Sequence, residues 1–198
     1  MIWRKRDARD TKWSWIAVLL RRLTGELQRR AVIAEMLEAD IVLAKPPTLR
    51  LSPVALLYRL LLRVQYVHSM LYVGDGKMVH TTSGEGVVIA PVPKGVYRED
   101  SYTVLRAPHL TLEQRELIAI EGLNIVGTKL DHAGLITNIP ARMLRLRKPF
   151  LKLEKTRLWC SKLILQAYSK NGVELVPPDK VENVTSEDLR DSKILELV

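Results

Sequence analysis

The stretch Val67-His-Ser-Met-Leu-Tyr-Val-Gly-Asp-Gly-Lys-Met-Val-His80 sets two of the chain's four histidines at the ends of two apolar runs joined by Gly74-Asp75-Gly76. Valine-, tyrosine- and methionine-rich segments bounding a glycine-aspartate cluster predict a β-hairpin. Loop length decides what that hairpin can do. A turn on Asp75-Gly76 alone pairs Leu71 with His80 and sends His80 to the face opposite His68. A three-residue loop, read as a type I turn with Gly76 in the left-handed position, pairs Val73 with Lys77 and Met70 with His80. The two histidines then share a face as diagonal neighbours, at roughly 7–8 Å between backbones. Apolar patterning does not choose between the loops, because both faces of the hairpin carry apolar residues.

Outward from the hairpin, the chain reads as one compact domain behind a helical extension. Its 198 residues, 47% of them apolar and 27% charged, suit a single globular core. Ala39-Asp-Ile-Val-Leu-Ala44 predicts a strand ended by Pro46 and Pro47. Ser52 and Pro53 open a helix through Val54, Leu57 and Leu61. After the hairpin strands come Val87–Val92 and Tyr102–Arg106, completing a mostly antiparallel sheet. Thr111 caps a helix that runs to about Val126 and stops at Gly127, and a last helix runs from about Cys160 to Asn171 with Gly172 as its stop. The fold class is α+β, with residues 1–38 as the extension and 39–198 as the domain.

In the extension, Trp13, Ile16, Ala17, Leu20, Leu23 and Leu27 recur at helical spacing with Arg21, Arg22, Arg29 and Arg30 between them. This is a basic amphipathic helix, expected to pack on the core and alternatively suited to an anionic membrane surface. The apolar run Trp13–Leu20 is far shorter than the roughly 20 residues that cross a bilayer. Arg21 and Arg22 stand where a signal peptide would carry small residues, so no cleaved signal is expected, and the location reads as cytoplasmic or peripheral to membrane. A formal charge of +9 favours an anionic substrate or surface. Nucleic acid is not favoured, because no recognition motif or aromatic platform accompanies the charge.

The single cysteine excludes an internal disulfide and a multi-cysteine zinc site, and no third and fourth ligand accompany the histidines, so neither a metal nor a cofactor is expected. Trp159-Cys-Ser-Lys-Leu-Ile-Leu-Gln-Ala-Tyr168 places Cys160 at the start of a helix whose buried stripe is Leu163, Ile164 and Ala167. A thiol there feels the positive end of the helix dipole, which favours the thiolate. A histidine beside it and a further polar group to orient the ring complete a nucleophilic site, and His68 and His80 on one face would supply both. That requirement selects the three-residue loop. His109 and His132 are read as structural or exposed, and Asp131 as a substitute orienting group.

Ala39-Asp-Ile-Val-Leu43, His68 through His80, Gly86-Val87 and Trp159-Cys160-Ser161, in that order, resemble the circularly permuted papain-fold hydrolases. These are the permuted NlpC-type enzymes with their YiiX-like branch and the lecithin retinol acyltransferase-like proteins. The resemblance covers most of the chain from about Ala39. It implies a permuted papain-like fold with the nucleophile at a helix N-terminus, Cys160 as nucleophile, His68 as general base and His80 as orienting residue. Gly127-Thr-Lys-Leu-Asp131 and Thr185–Ser192 are further similar to the YiiX-like branch. Two positions depart from the pattern: Ala39 stands where the family has glycine, and Leu130 where it has an aromatic residue. The implied activity is a cysteine amidase or endopeptidase, with cell-wall peptides among its candidate substrates. The alternatives are a lipid acyltransferase or phospholipase at membranes, and a non-enzymatic basic binding module. The expected partner is thus a peptide, amide or acyl-lipid substrate, anionic in character.

Overall fold

The computed structural model describes residues 8–45, 61, 64–144 and 158–198. Apart from Leu61, the helix expected from Ser52 lies outside them, as do Arg145, Arg147, Lys148, Lys152, Lys155 and Arg157, the larger part of a basic stretch that leads to Cys160 in the sequence.

The elements in chain order are α1 (Ala8–Glu35), β1 (Ile41–Ala44), β2 (His68–Tyr72), β3 (Lys77–Thr82), β4 (Gly86–Pro91) and β5 (Tyr102–Arg106). They are followed by α2 (Leu112–Asn124), α3 (His132–Met143), α4 (Cys160–Ser169), a 3₁₀ turn (Val181–Asn183), α5 (Ser186–Arg190) and β6 (Glu196–Leu197). The strands form one six-stranded sheet in the order β4-β3-β2-β1-β5-β6, with every pairing antiparallel.

Central β1 is buried on both faces, which is why Ile41-Val-Leu-Ala44 reads as an unbroken apolar run rather than an alternating one. Ile41 and Leu43 join Leu71, Val79 and Leu105 in a core closed by Ile118 of α2 and Leu163, Ile164 and Ala167 of α4. Val42 and Ala44 join Met70, Met78 and Val104 in a second core, on which Val32, Ile33 and Met36 of the α1 end are laid. Helices thus cover both faces, and α4 lies on the face opposite α1.

The ends of α2 follow the sequence rules. Thr111 accepts from the Gln114 N–H, while the Gln114 side chain accepts from the Thr111 N–H in a capping box. Beyond its end, Gly127 is left-handed at φ 87°. The strand expected from Ala39 begins at Ile41 instead, because Ala39 is left-handed at φ 67° and the Asp40 N–H closes a turn onto Leu37 O. This is the position where the family pattern has glycine, and the backbone there takes the form glycine favours. The fully buried Asp40 carboxylate binds the Arg106 guanidinium through Nε at 2.9 Å and Nη2 at 2.6 Å. It also accepts from the Leu37 N–H at 2.8 Å and faces Arg115 at 3.6 Å.

Helix α1 corrects one expectation. It was expected to pack through its leucine stripe, yet Leu20, Leu23 and Leu27 are 55%, 53% and 66% exposed. The docked side is Gly25, Arg29, Val32, Ile33 and Met36. At Gly25 a Cβ would come within 2.7 Å of the Tyr97 hydroxyl, and the Arg29 guanidinium donates twice to Val92 O. A small residue that permits close approach and an arginine that meets a free carbonyl set the contact.

Candidate active site

The hairpin has the register of a three-residue loop, reached by a different turn. Leu71 pairs with Val79 and Tyr72 with Met78, and the Val73 N–H donates to Lys77 O at 3.1 Å. The Lys77 N–H donates in turn to Gly74 O at 2.9 Å, so Lys77 stands opposite both Val73 and Gly74. Gly74, Asp75 and Gly76 are all left-handed, at φ 87°, 51° and 65°. Left-handed φ at Asp75 and Gly76 is the mark of a type I′ turn rather than type I, and Gly74 is the extra residue of a bulge. Aspartate is among the few residues that accept this conformation without glycine's freedom.

This register brings the two histidines together. His68 Nε2 lies 3.1 Å from His80 Nδ1, with the rings edge to face at 5.2 Å between centroids. One ring donates and the other accepts. His68 Nδ1 has no hydrogen-bond partner among the described residues. Burial pushes His68 down to about 4. His80 is also lowered to about 4, by burial and by the facing His68. Both imidazoles are therefore neutral at pH 7, so His68 is set to receive a proton rather than to stand as a ready-made cation. Beside the pair, Ala44, Met70, Met78, Ala90, Pro91, Pro93 and Tyr102 line an apolar cavity of about 140 Å³.

Cys160 is the first residue of α4, as its sequence position predicts, and is partly exposed. Trp159 precedes it with its indole N–H donated to Val184 O, and no side chain caps the helix start. The Cys160 Sγ lies 3.9 Å from Ser161 Oγ, its one hydrogen-bond partner among the described residues. Neither imidazole is hydrogen-bonded to the thiol. What ties the two halves together is a chain of buried hydroxyls: Ser161 Oγ lies 3.5 Å from Ser69 Oγ and 3.4 Å from Ser186 Oγ. The residue after Cys160 thus touches the residue after His68. The sequence reading passed over Ser69 and Ser186, since a lone serine carries no spacing signal.

The remaining sites fall as follows. His109 and His132 are exposed. Asp131 is buried immediately before α3, its N–H donated to Leu158 O two residues ahead of Cys160. The parallel bridge between Leu130 and Leu158 holds that segment against the lead-in to the nucleophile. Gly86 at φ 79° presses on the same region, because a Cβ there would stand 2.2 Å from Thr128 O. The closing motif is also explained: Thr185 and Asp188 form a capping box that starts α5, a signal legible as Thr-x-x-Asp.

No protein-family model matches the sequence, and neither does any curated protein. Among solved structures, YiiX from Escherichia coli O157:H7, described as a metalloprotein, is similar in fold. At 14% sequence identity the TM-score is 0.59, over 82% of this chain and 96% of that one. The chain has a YiiX-like α+β fold. Among the described residues no helix is long and apolar enough to cross a membrane.

Proposed function

We propose that the protein is a cysteine amidase or peptidase of the permuted papain-like type, working through Cys160, His68 and His80 and an acyl-enzyme. The observation that carries the reading is the 3.1 Å contact between His68 Nε2 and His80 Nδ1, which leaves His68 Nδ1 as the nitrogen available to a thiol. In the reaction, His68 Nδ1 takes the Cys160 proton and the thiolate adds to the amide carbonyl. The backbone N–H at the uncapped start of α4 meets the developing oxyanion. The protonated His68 then gives its proton to the leaving amine. Water, deprotonated by the same ring, releases the acid. His80 holds His68 in one tautomer and angle throughout. In the resting structure the thiol does not touch its base: Ser69, the residue after His68, is the one that meets the start of α4, whereas His68 and His80 line the cavity with Met70 and Met78, and the reading requires Cys160 and His68 to be brought together when substrate binds.

The apolar cavity of about 140 Å³ lies beside the histidine pair, and Cys160 is not among its lining residues, so it does not choose between an amide and an acyl-lipid substrate. A metal centre like the one implied for YiiX does not fit the donors here. Among the described residues no three His, Cys, Asp or Glu side chains gather as a ligand set, and the facing nitrogens of the two histidines are bonded to each other.

Intact-mass analysis after exposure to small acyl-amide and acyl-ester substrates, with iodoacetamide as a general thiol probe, tests the proposal. A Cys160 adduct is expected, absent in Cys160→Ala and slowed about 100-fold or more in His68→Ala. His80→Ala should leave a residual rate and His80→Gln a larger one. Labelling of Cys160 at an unchanged rate in His68→Ala would remove His68 from the mechanism.

A further inference from the structure

The docked side of α1 does not close completely onto the domain. At about 100° per residue, Arg22, Gly25, Glu26 and Arg29 fall within about 100° of one another on the helix. Arg29 is bonded to Val92 O and Gly25 lies against the Tyr97 hydroxyl. Between α1 and the 93–98 turn, however, an open cleft of about 1140 Å³ remains, with Arg22, Gln28, Lys94 and Arg98 in its lining. The turn that forms the far wall is held by the Val96 N–H on Pro93 O at 3.1 Å, by the Arg98 N–H on Gly95 O at 2.9 Å and by the buried Val96 side chain. Both walls are thus set by the fold rather than by whatever lies between them.

The charges in the cleft do not cancel. Glu26, the one carboxylate among the described lining residues, is already met by Arg29 at 3.2 Å and Arg30 at 3.6 Å from its own helix. Arg98 is paired with Asp100 at 3.3 Å. Arg22 and Lys94 are exposed, on opposite walls, and form no ion pair among the described residues. The half-buried Tyr97 hydroxyl, over Gly25, likewise has no hydrogen-bond partner among them. From this we infer that the cleft binds a phosphomonoester, its phosphate held between Arg22 and Lys94 and accepting from the Tyr97 hydroxyl. A guanidinium engages two oxygens side by side, and an ammonium and a phenol take a further acceptor each. A phosphate supplies that many lone pairs and close to two negative charges, whereas a carboxylate offers two oxygens and one charge. The cleft is far larger than a lone phosphate, so the organic body of the ester has room beside Gln28. A nucleic-acid strand is the poorer occupant, because Tyr97 is the one aromatic ring among the described lining residues and makes no stacking platform. The inference does not depend on the chemistry of Cys160.

The test is isothermal titration calorimetry of the full chain at low salt, with glycerol 3-phosphate, inorganic phosphate and acetate as probes. Glycerol 3-phosphate should bind saturably at one site, less tightly as salt is raised, and acetate about tenfold or more weakly. Arg22→Gln and Lys94→Gln should each weaken glycerol 3-phosphate about tenfold or more, and Tyr97→Phe a few-fold. Lys193→Gln, which removes the same charge from an exposed position outside the cleft, should leave the affinity unchanged. Melting temperatures of the Arg22 and Lys94 variants should match the wild type, since both side chains are exposed. Co-sedimentation with phosphatidic acid vesicles separates the two sources of a phosphomonoester: sedimentation that glycerol 3-phosphate competes away assigns the cleft to a lipid headgroup, and its absence to a soluble ester. No saturable binding of glycerol 3-phosphate, equal affinity for acetate, or an equal loss in Lys193→Gln and the cleft variants would overturn the assignment.

Discussion

Lowering the pH should destabilise this protein through its histidine pair before it protonates most carboxylates. In the unfolded chain each imidazole titrates near 6.5, whereas in the folded protein His68 and His80 are both pushed down to about 4. Between those values the unfolded chain binds more protons than the native one, so stability is full above about pH 6.5 and falls as pH drops toward 4. For a single ring, the gap at about 1.4 kcal/mol per pH unit is worth about 3 kcal/mol. The rings are coupled, because the charge on one opposes protonation of the other, so the two contributions do not simply add. With water entering around two half-buried rings, a loss of about 2–4 kcal/mol for the pair is the expected size. Urea denaturation midpoints at pH 7.0, 6.0, 5.0 and 4.5 measure it. The control is His68→Gln with His80→Gln, which keeps polar groups at both positions and removes both titrations. The wild type should lose stability over this range faster than the double variant by that amount. Parallel curves for the two proteins would mean that the imidazoles are solvated and free to charge, and the buried pair would be wrong.

Three further outcomes follow from the packing. Gly86→Ala should destabilise by more than about 3 kcal/mol in urea, since the added Cβ meets the Thr128 carbonyl at 2.2 Å in a left-handed backbone that alanine resists. Asp40→Ala should cost about 3–5 kcal/mol by the same measurement, because Arg106 loses two charge-assisted bonds and the buried Arg115 loses its facing carboxylate. Ser161→Ala should lower stability by about 1–2 kcal/mol in thermal melts, leaving the buried Ser69 and Ser186 hydroxyls without their shared neighbour; a neutral effect would mean that the three hydroxyls are satisfied elsewhere.

How much of this was legible beforehand depended on whether a feature was local. The β1–β5 strands and the α2 and α4 helices follow from runs, caps and stops within each segment, and the structure departs from them by only a residue or two at most ends. Cys160 at the first position of α4 was readable for the same reason, because the Leu163, Ile164 and Ala167 stripe fixes where that helix begins. The Asp40 network was not readable. Asp40, Arg106 and Arg115 are far apart in sequence, and nothing in Ala39-Asp40 says that the carboxylate turns inward. The side of α1 that docks was likewise hidden. Periodicity identifies an apolar row but not what it meets, and here Gly25 and Arg29 outweigh three leucines because they fit a hydroxyl and a carbonyl that the leucines cannot satisfy.

The hairpin shows how a register can be reached by a turn the sequence did not suggest. Asp75-Gly76 alone, as a two-residue type I′ connection, would put Leu71 opposite His80 and separate the imidazoles by the thickness of the sheet. The left-handed bend at Asp75-Gly76 is present, yet the pairing is that of the longer loop, because Gly74 is accommodated as a bulge at φ 87° with both it and Val73 bonded to Lys77. Glycine suits the position by its positive φ, and a Cβ there would displace only the end of the Glu38 side chain, 2.8 Å away. One unpaired residue in the turn therefore shifts β3 by a single position. That shift turns His80 onto the face of His68 and makes a 3.1 Å contact out of two residues twelve apart. The chemistry proposed for Cys160 rests on that bulge as much as on the histidines themselves.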